Sequence, residues 1–98
     1  MTTYTAKEVE QKLAAGEKLH LVDVREDFEV AQGMIPGSAH INLQAIPEKL
    51  DQLDKDTEYI LICRSGNRSG QAQQFLENNG YTAANMTGGM LDWEGPTE

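Results

Sequence analysis

A single cysteine in 98 residues excludes an internal disulfide. With no cross-linked scaffold to maintain, a reducing, cytoplasmic compartment is the expected setting. Positive charge is scarce as well: eight Lys and Arg stand against sixteen Asp and Glu, a formal net charge of −8. Such a chain lacks the basic face that phosphate neutralisation requires, so nucleic acid is not an expected partner. Long apolar runs are missing. The most apolar, Tyr59-Ile60-Leu61-Ile62, has four residues, far short of the roughly 20 that a membrane-spanning helix needs. Met1-Thr2-Thr3-Tyr4 shows neither a basic n-region nor an apolar h-region, so no signal peptide is expected. His20 and His40 have no second ligand at metal-binding spacing and read as surface or packing residues. There are no repeats, linkers or low-complexity segments, and the length suits one domain, residues 1–98.

What is present alternates between strand and helix signals. Thr5 with Glu8 forms a capping box that opens a helix carrying Ala6, Val9 and Leu13 on one face, and Gly16 stops it. Leu19 to Val24 reads as a strand, residues 26–32 as a short helix, and Met34-Ile35-Pro36-Gly37 as a turn. A short strand is expected at Ala39–Asn42. A helix with Pro47 in its first turn then places Ile46, Leu50 and Leu53 inward. Glu58 to Ile62 reads as a central strand, buried on both faces because its apolar run is continuous. The next helix, Ser69 to Asn79, has Ala72, Phe75 and Leu76 as its apolar stripe. A weaker strand covers Thr82–Met86, and Gly88-Gly89 leads into a short helix with Leu91 and Trp93, the latter read as core. This order predicts an α/β fold: a small, mostly parallel sheet with helices on both faces. Ligands of such sheets bind beyond the carboxyl ends of the strands, which is where Cys63 falls.

The turn Cys63-Arg64-Ser65-Gly66-Asn67-Arg68-Ser69 carries the chemistry. A free thiol has a pKa of about 8.5 and is mostly protonated at neutral pH. Unpaired N–H groups at a helix N-terminus favour an anion. A turn curled around the sulfur can aim several N–H groups at it, and Gly66 relaxes the backbone. After Lys55 the only positive charges are Arg64 and Arg68, both in this turn. All of these stabilise a thiolate and attract an anionic co-substrate. The plainer alternative is a small hydrophobe continuing a buried strand, but that role needs no turn with two arginines, a glycine and two serines.

These residues resemble the active-site loop of the rhodanese family: a cysteine, two variable residues, glycine, a variable residue, arginine, then serine or alanine. Cys63, Gly66, Arg68 and Ser69 match it. Asp23-Val24-Arg25, Phe28-Glu29 and Gly33-Met34-Ile35-Pro36-Gly37-Ser38-Ala39 are similar to a second family block, and Gly88-Gly89 with Trp93 to a third. Met34 stands where the family usually has histidine, and a change of packing is expected there without loss of activity.

The resemblance implies a thiosulfate sulfurtransferase. The Cys63 thiolate would take a sulfane sulfur from a small anionic donor such as thiosulfate and hold it as a persulfide. It would then pass the sulfur to a thiol, to cyanide or to a sulfur-relay protein. The N–H groups of Arg64, Ser65, Gly66, Asn67, Arg68 and Ser69 would bind the persulfide, the arginine side chains would orient the donor, and no metal or organic cofactor is needed. A persulfide carrier for a partner enzyme would use the same residues. A cysteine phosphatase or arsenate reductase is the other alternative, but the phosphatase loop is one residue longer than the Cys63–Arg68 spacing, and a tighter ring suits one sulfur atom better than a tetrahedral phosphate. Asp23 and Arg25 remain supporting candidates. Asp23 either pairs with an arginine at the crevice or, with Arg25, anchors the fold.

Overall fold

A computed structural model describes residues 2–98. Five strands, β1 (Thr2–Thr5), β2 (His20–Asp23), β3 (Ala39–His40), β4 (Glu58–Ile62) and β5 (Thr82–Thr87), form one sheet in the order β1-β5-β4-β2-β3. Every pairing is parallel. Three α-helices connect them: α1 (Ala6–Ala14), α2 (Asp27–Val30) and α3 (Asn67–Asn78). Two 3₁₀ helices, Leu43–Gln52 and Gly89–Asp92, complete the chain.

The expected α/β sheet is present and is wholly parallel. β4 shows why it must be covered on both faces. Ile60 and Ile62 point to one side and pack with Ala6 and Val9 of α1, while Leu61 points to the other and packs with Ala72 and Leu76 of α3. Alternation along a strand requires this division. Each fully buried Ile or Leu contributes about 1.5–3 kcal/mol relative to its exposed state.

The α1 capping box forms as read, with Thr5 Oγ1 accepting from the Glu8 N–H at 3.1 Å and Glu8 returning the bond to the Thr5 N–H at 2.9 Å. The Pro47 segment is a 3₁₀ helix, not an α-helix. Asn42 caps it by accepting from the Ala45 N–H, and Ile46 is its buried residue. The buried stripe of α3 is Ser69, Ala72, Gln73 and Leu76, with Phe75 only half-buried. α3 also begins two residues earlier than expected.

β1 was not read from the sequence as a strand. Its alternation of threonines with one tyrosine carries little apolar signal. It is held from outside itself: it pairs with β5, and buried Gln73 donates to the carbonyls of Thr2 at 2.7 Å and Ala83 at 3.2 Å.

The Asp23–Arg25 pair is an anchor of the fold. Asp23 is fully buried at the end of β2 and Arg25 is nearly so. The Arg25 side chain donates to the carboxylate through Nε and NH2, the latter at 2.8 Å, and NH2 also reaches the Gly33 carbonyl at 2.8 Å. The Arg25 N–H donates to Asp23 Oδ1 as well. Asp23 makes no hydrogen bond to the cysteine turn among the described residues; the arginine it pairs with is Arg25, which also lines the cleft described below. His40 Nε2 lies 2.7 Å from the Arg25 carbonyl, and His20 packs edge-on to Tyr59, so both histidines serve packing. Trp93 packs against the core on the α1 side, and its Nε1 donates to the Pro96 carbonyl. At Met34, the backbone N–H and carbonyl pair with the carbonyl and N–H of Glu98. Replacing Asp23 by Ala leaves a buried guanidinium uncompensated. Urea unfolding of Asp23→Ala should show a loss of about 3–5 kcal/mol.

Candidate active site

Cys63 follows β4 directly, on the same face as Leu61, and has no exposed surface. β4 delivers it to the carboxyl edge of the sheet, and α3 begins four residues later. Between them the chain reverses at Gly66, which has φ +100°. A side chain is disfavoured there on conformation and on space, because a Cβ would stand 3.2 Å from the Gly88 nitrogen.

This conformation aims the Gly66 N–H at Cys63 Sγ, 3.0 Å away. The Ser69 hydroxyl approaches the same sulfur at 3.3 Å. Burial pushes the Cys63 thiol pKa up. The Ser69 hydroxyl and the N–H groups of Ser69, Gly66 and Ser65 push it down, and the outcome lies below the ordinary thiol value. The site thus favours a thiolate, and it does so with dipoles more than with formal charge.

The two arginines separate in role. Arg68 is paired with Glu29, its NH1 and NH2 donating to Oε1 and Oε2 at 2.7 and 2.8 Å. Arg68 thus meets a carboxylate of α2 through two of its five N–H donors, a contact that Arg64 does not share. This pairing holds the Glu29 pKa down to about 2, chiefly through the Arg68 hydrogen bonds. Arg64 is exposed and forms no ion pair among the described residues. It lines a cleft of about 480 Å³ together with Arg25, Glu29, Met90, Phe28 and Leu91, and the last two are the large apolar side chains most exposed to solvent. Cys63 itself does not line the cleft.

Ser65 and Asn67 are exposed on the turn, whereas Ser69 is buried in the first turn of α3. The back of the turn is held by the 3₁₀ helix Gly89–Asp92. The Met90 N–H donates to the Cys63 carbonyl at 2.8 Å and the Leu91 N–H to the Arg64 carbonyl at 2.9 Å. Gly89, at φ +56°, permits this approach, since a Cβ there would meet the Cys63 and Arg64 backbone at 2.5 Å. The Gly88-Gly89 pair noted in the sequence is thus part of the site's support. Two residues were missed as site residues. Glu29 was quoted only as part of a block, and Asn85, buried in β5, accepts from the Ser69 hydroxyl and donates to the Gly66 carbonyl at 3.0 Å. A polar residue inside the apolar run Ala83–Met86 was the available signal for Asn85.

The geometry defines a class: a parallel α/β domain that presents one activated cysteine in a ring of N–H donors beyond the sheet. The model of the Rhodanese-like domain matches residues 5–96, and the chain belongs to that family. It is 51% identical over 90 residues to "Putative sulfurtransferase YtwF" of Bacillus subtilis, covering 92% of this chain and 87% of that protein. It is 32% identical over 75 residues to thiosulfate sulfurtransferase PspE of Escherichia coli, covering 74% of this chain and 72% of that protein. A crystal structure of a rhodanese-like domain protein from Staphylococcus aureus superposes with a TM-score of 0.94 at 38% identity, covering 100% of this chain and 97% of that one.

Two outcomes follow from the support of the turn. Glu29 has its pKa depressed by folding, so its pair with Arg68 contributes fully above about pH 4.5 and is lost as pH falls from there toward 2. Urea titrations should show Glu29→Gln about 1–2 kcal/mol less stable at pH 7, with the difference closing over that acid window. Gly89→Ala combines a positive φ with a backbone collision. It should cost about 2–4 kcal/mol in the same assay and slow alkylation of Cys63.

Proposed function

We propose that this chain is a sulfurtransferase that moves a sulfane sulfur from thiosulfate, or a donor of similar chemistry, to an acceptor thiol through a persulfide on Cys63. The observation that carries this reading is the convergence of the Gly66 N–H and the Ser69 hydroxyl on a lone thiol whose pKa lies below the ordinary value. Relatives named as sulfurtransferases, one of them a thiosulfate sulfurtransferase, support it.

In the first step the Cys63 thiolate attacks the outer sulfur of thiosulfate. A Cys63 S–S bond forms, the bond to the sulfonate sulfur breaks, and its electron pair leaves with sulfite. Cys63 then holds a persulfide whose outer sulfur carries the charge. In the second step an acceptor thiolate attacks that outer sulfur and the Cys63 thiolate leaves. This is nucleophilic catalysis with a covalent intermediate and ping-pong kinetics. The N–H groups of residues 64–69 hold the outer sulfur. Arg64, exposed and free of ion pairs, guides the anionic donor from the cleft, and Arg68 orders the turn through Glu29. Asp23 and Arg25 fix the crevice wall without touching the reacting atoms. The whole of residues 1–98 acts as one rhodanese domain, with a small anionic donor, a thiol or sulfur-relay protein as acceptor, and a reducing, cytoplasmic setting.

Incubation with thiosulfate should add one sulfur, about 32 Da, to the intact chain, and Cys63→Ser should abolish both the adduct and thiosulfate–thiol transfer. Transfer by Cys63→Ser at the wild-type rate would overturn the reading. An unmodified wild-type chain would point to a carrier loaded only by a partner enzyme. Hydrolysis of a phosphotyrosine analogue at a catalytic rate would point to phosphate chemistry instead.

A further inference from the structure

Asn85 is the one polar side chain among the buried residues of β5, between Ala84 and Met86. Its amide is oriented by its neighbours. Nδ2 donates to the Gly66 carbonyl at 3.0 Å, and Oδ1 accepts from the Ser69 hydroxyl at 2.5 Å. Turned over, Oδ1 would face the Gly66 carbonyl with no hydrogen between two acceptors. Ser69 has a single hydroxyl proton, and Cys63 Sγ lies 3.3 Å from the same oxygen. When the sulfur is ionised, two acceptors claim one proton.

We propose that Asn85 is a positioning residue for the sulfur chemistry, and that its amide oxygen competes with the Cys63 sulfur for the Ser69 proton. The inference rests on reading Cys63 as the sulfur-carrying nucleophile. In the neutral thiol, the Cys63 S–H donates to Ser69 Oγ, and the hydroxyl donates to Asn85. Loss of the thiol proton removes that donor, and the hydroxyl turns to the thiolate. Loading the sulfur moves the charge to the outer atom and leaves Sγ neutral, so the hydroxyl returns to Asn85. The Ser69 proton thereby follows the charge through the cycle. Meanwhile Nδ2 steadies Gly66, whose carbonyl also accepts from the Gly70 N–H at 3.1 Å. Loss of Asn85 therefore leaves the start of α3 with its own hydrogen bond.

The charged groups of the turn and of the elements packed against it are Arg64 and Arg68 on the turn, Glu29 from α2, Asp23 and Arg25 at the end of β2, and Asp92 from the C-terminal 3₁₀ helix. All stay in place in the following comparison.

The test is a double-mutant cycle on Cys63 ionisation, read by the ultraviolet absorbance of the thiolate and by alkylation with iodoacetamide across pH. Neither readout involves a sulfur donor, so the result stands apart from whether thiosulfate is a substrate. Ser69→Ala should move the titration midpoint up. Asn85→Leu, nearly isosteric, should move it down and raise the thiolate fraction several-fold below the wild-type midpoint, because the hydroxyl then serves the sulfur alone. With Ser69→Ala already present, Asn85→Leu should have little effect. An equal shift in both backgrounds, or an upward shift from Asn85→Leu alone, would overturn the proposal. Asn85→Val, suited to a strand, provides the same comparison if Leu disturbs folding.

Discussion

A buried sulfur can hold negative charge only if donors surround it, and here they come from one turn that pivots on a single glycine. Gly66, in a left-handed conformation, sends its N–H to Cys63 and its carbonyl to Asn85 and to the first turn of α3. Everything near the sulfur is arranged to keep that residue where it is. β4 delivers the cysteine, α3 supplies Ser69, β5 supplies Asn85, and the Gly89–Asp92 helix ties the carbonyls of Cys63 and Arg64 from behind. Neutral dipoles fixed in place suit a charge that appears and then moves one atom outward, because they need not reorganise when it does.

The charged residues do different work. The bidentate pair between Arg68 and Glu29 links α3 to α2, so the acid on one side of the cleft neutralises the arginine that the sequence pattern makes most prominent. Among the described residues that line the cleft, Arg64 is the cation without an ion pair.

The layer architecture and Cys63 were legible because they depend on local signals. The continuous apolar run of β4 requires cover on both faces, the Thr5–Glu8 box starts α1, and Gly66 marks a turn before a helix. What escaped depends on partners distant in sequence. β1 has a polar pattern and is a strand only because β5 and Gln73 complete its hydrogen bonds. The Pro47 segment has apolar spacing that fits an α-helix and a 3₁₀ helix nearly alike. Glu29 and Asn85 become site residues through contacts 39 and 16 positions away in the chain, and no periodicity announces such contacts. The partner of Asp23 was likewise visible only in the geometry, which closes it onto Arg25.

The strand order also governs when the site can exist. β5 is the last strand in the chain, yet it lies inside the sheet, between β1 and β4. During synthesis β1 has no neighbour to pair with until residue 84 is available to meet Thr2, and closing so long a loop is a slow step. Asn85 and the helix behind the turn arrive with the same segment. A chain without that segment has Cys63, Gly66 and Ser69 but neither the Asn85 amide nor the 3₁₀ helix that hold the turn from behind. Support of the turn and completion of the sheet thus come from one stretch of the chain, residues 82–92.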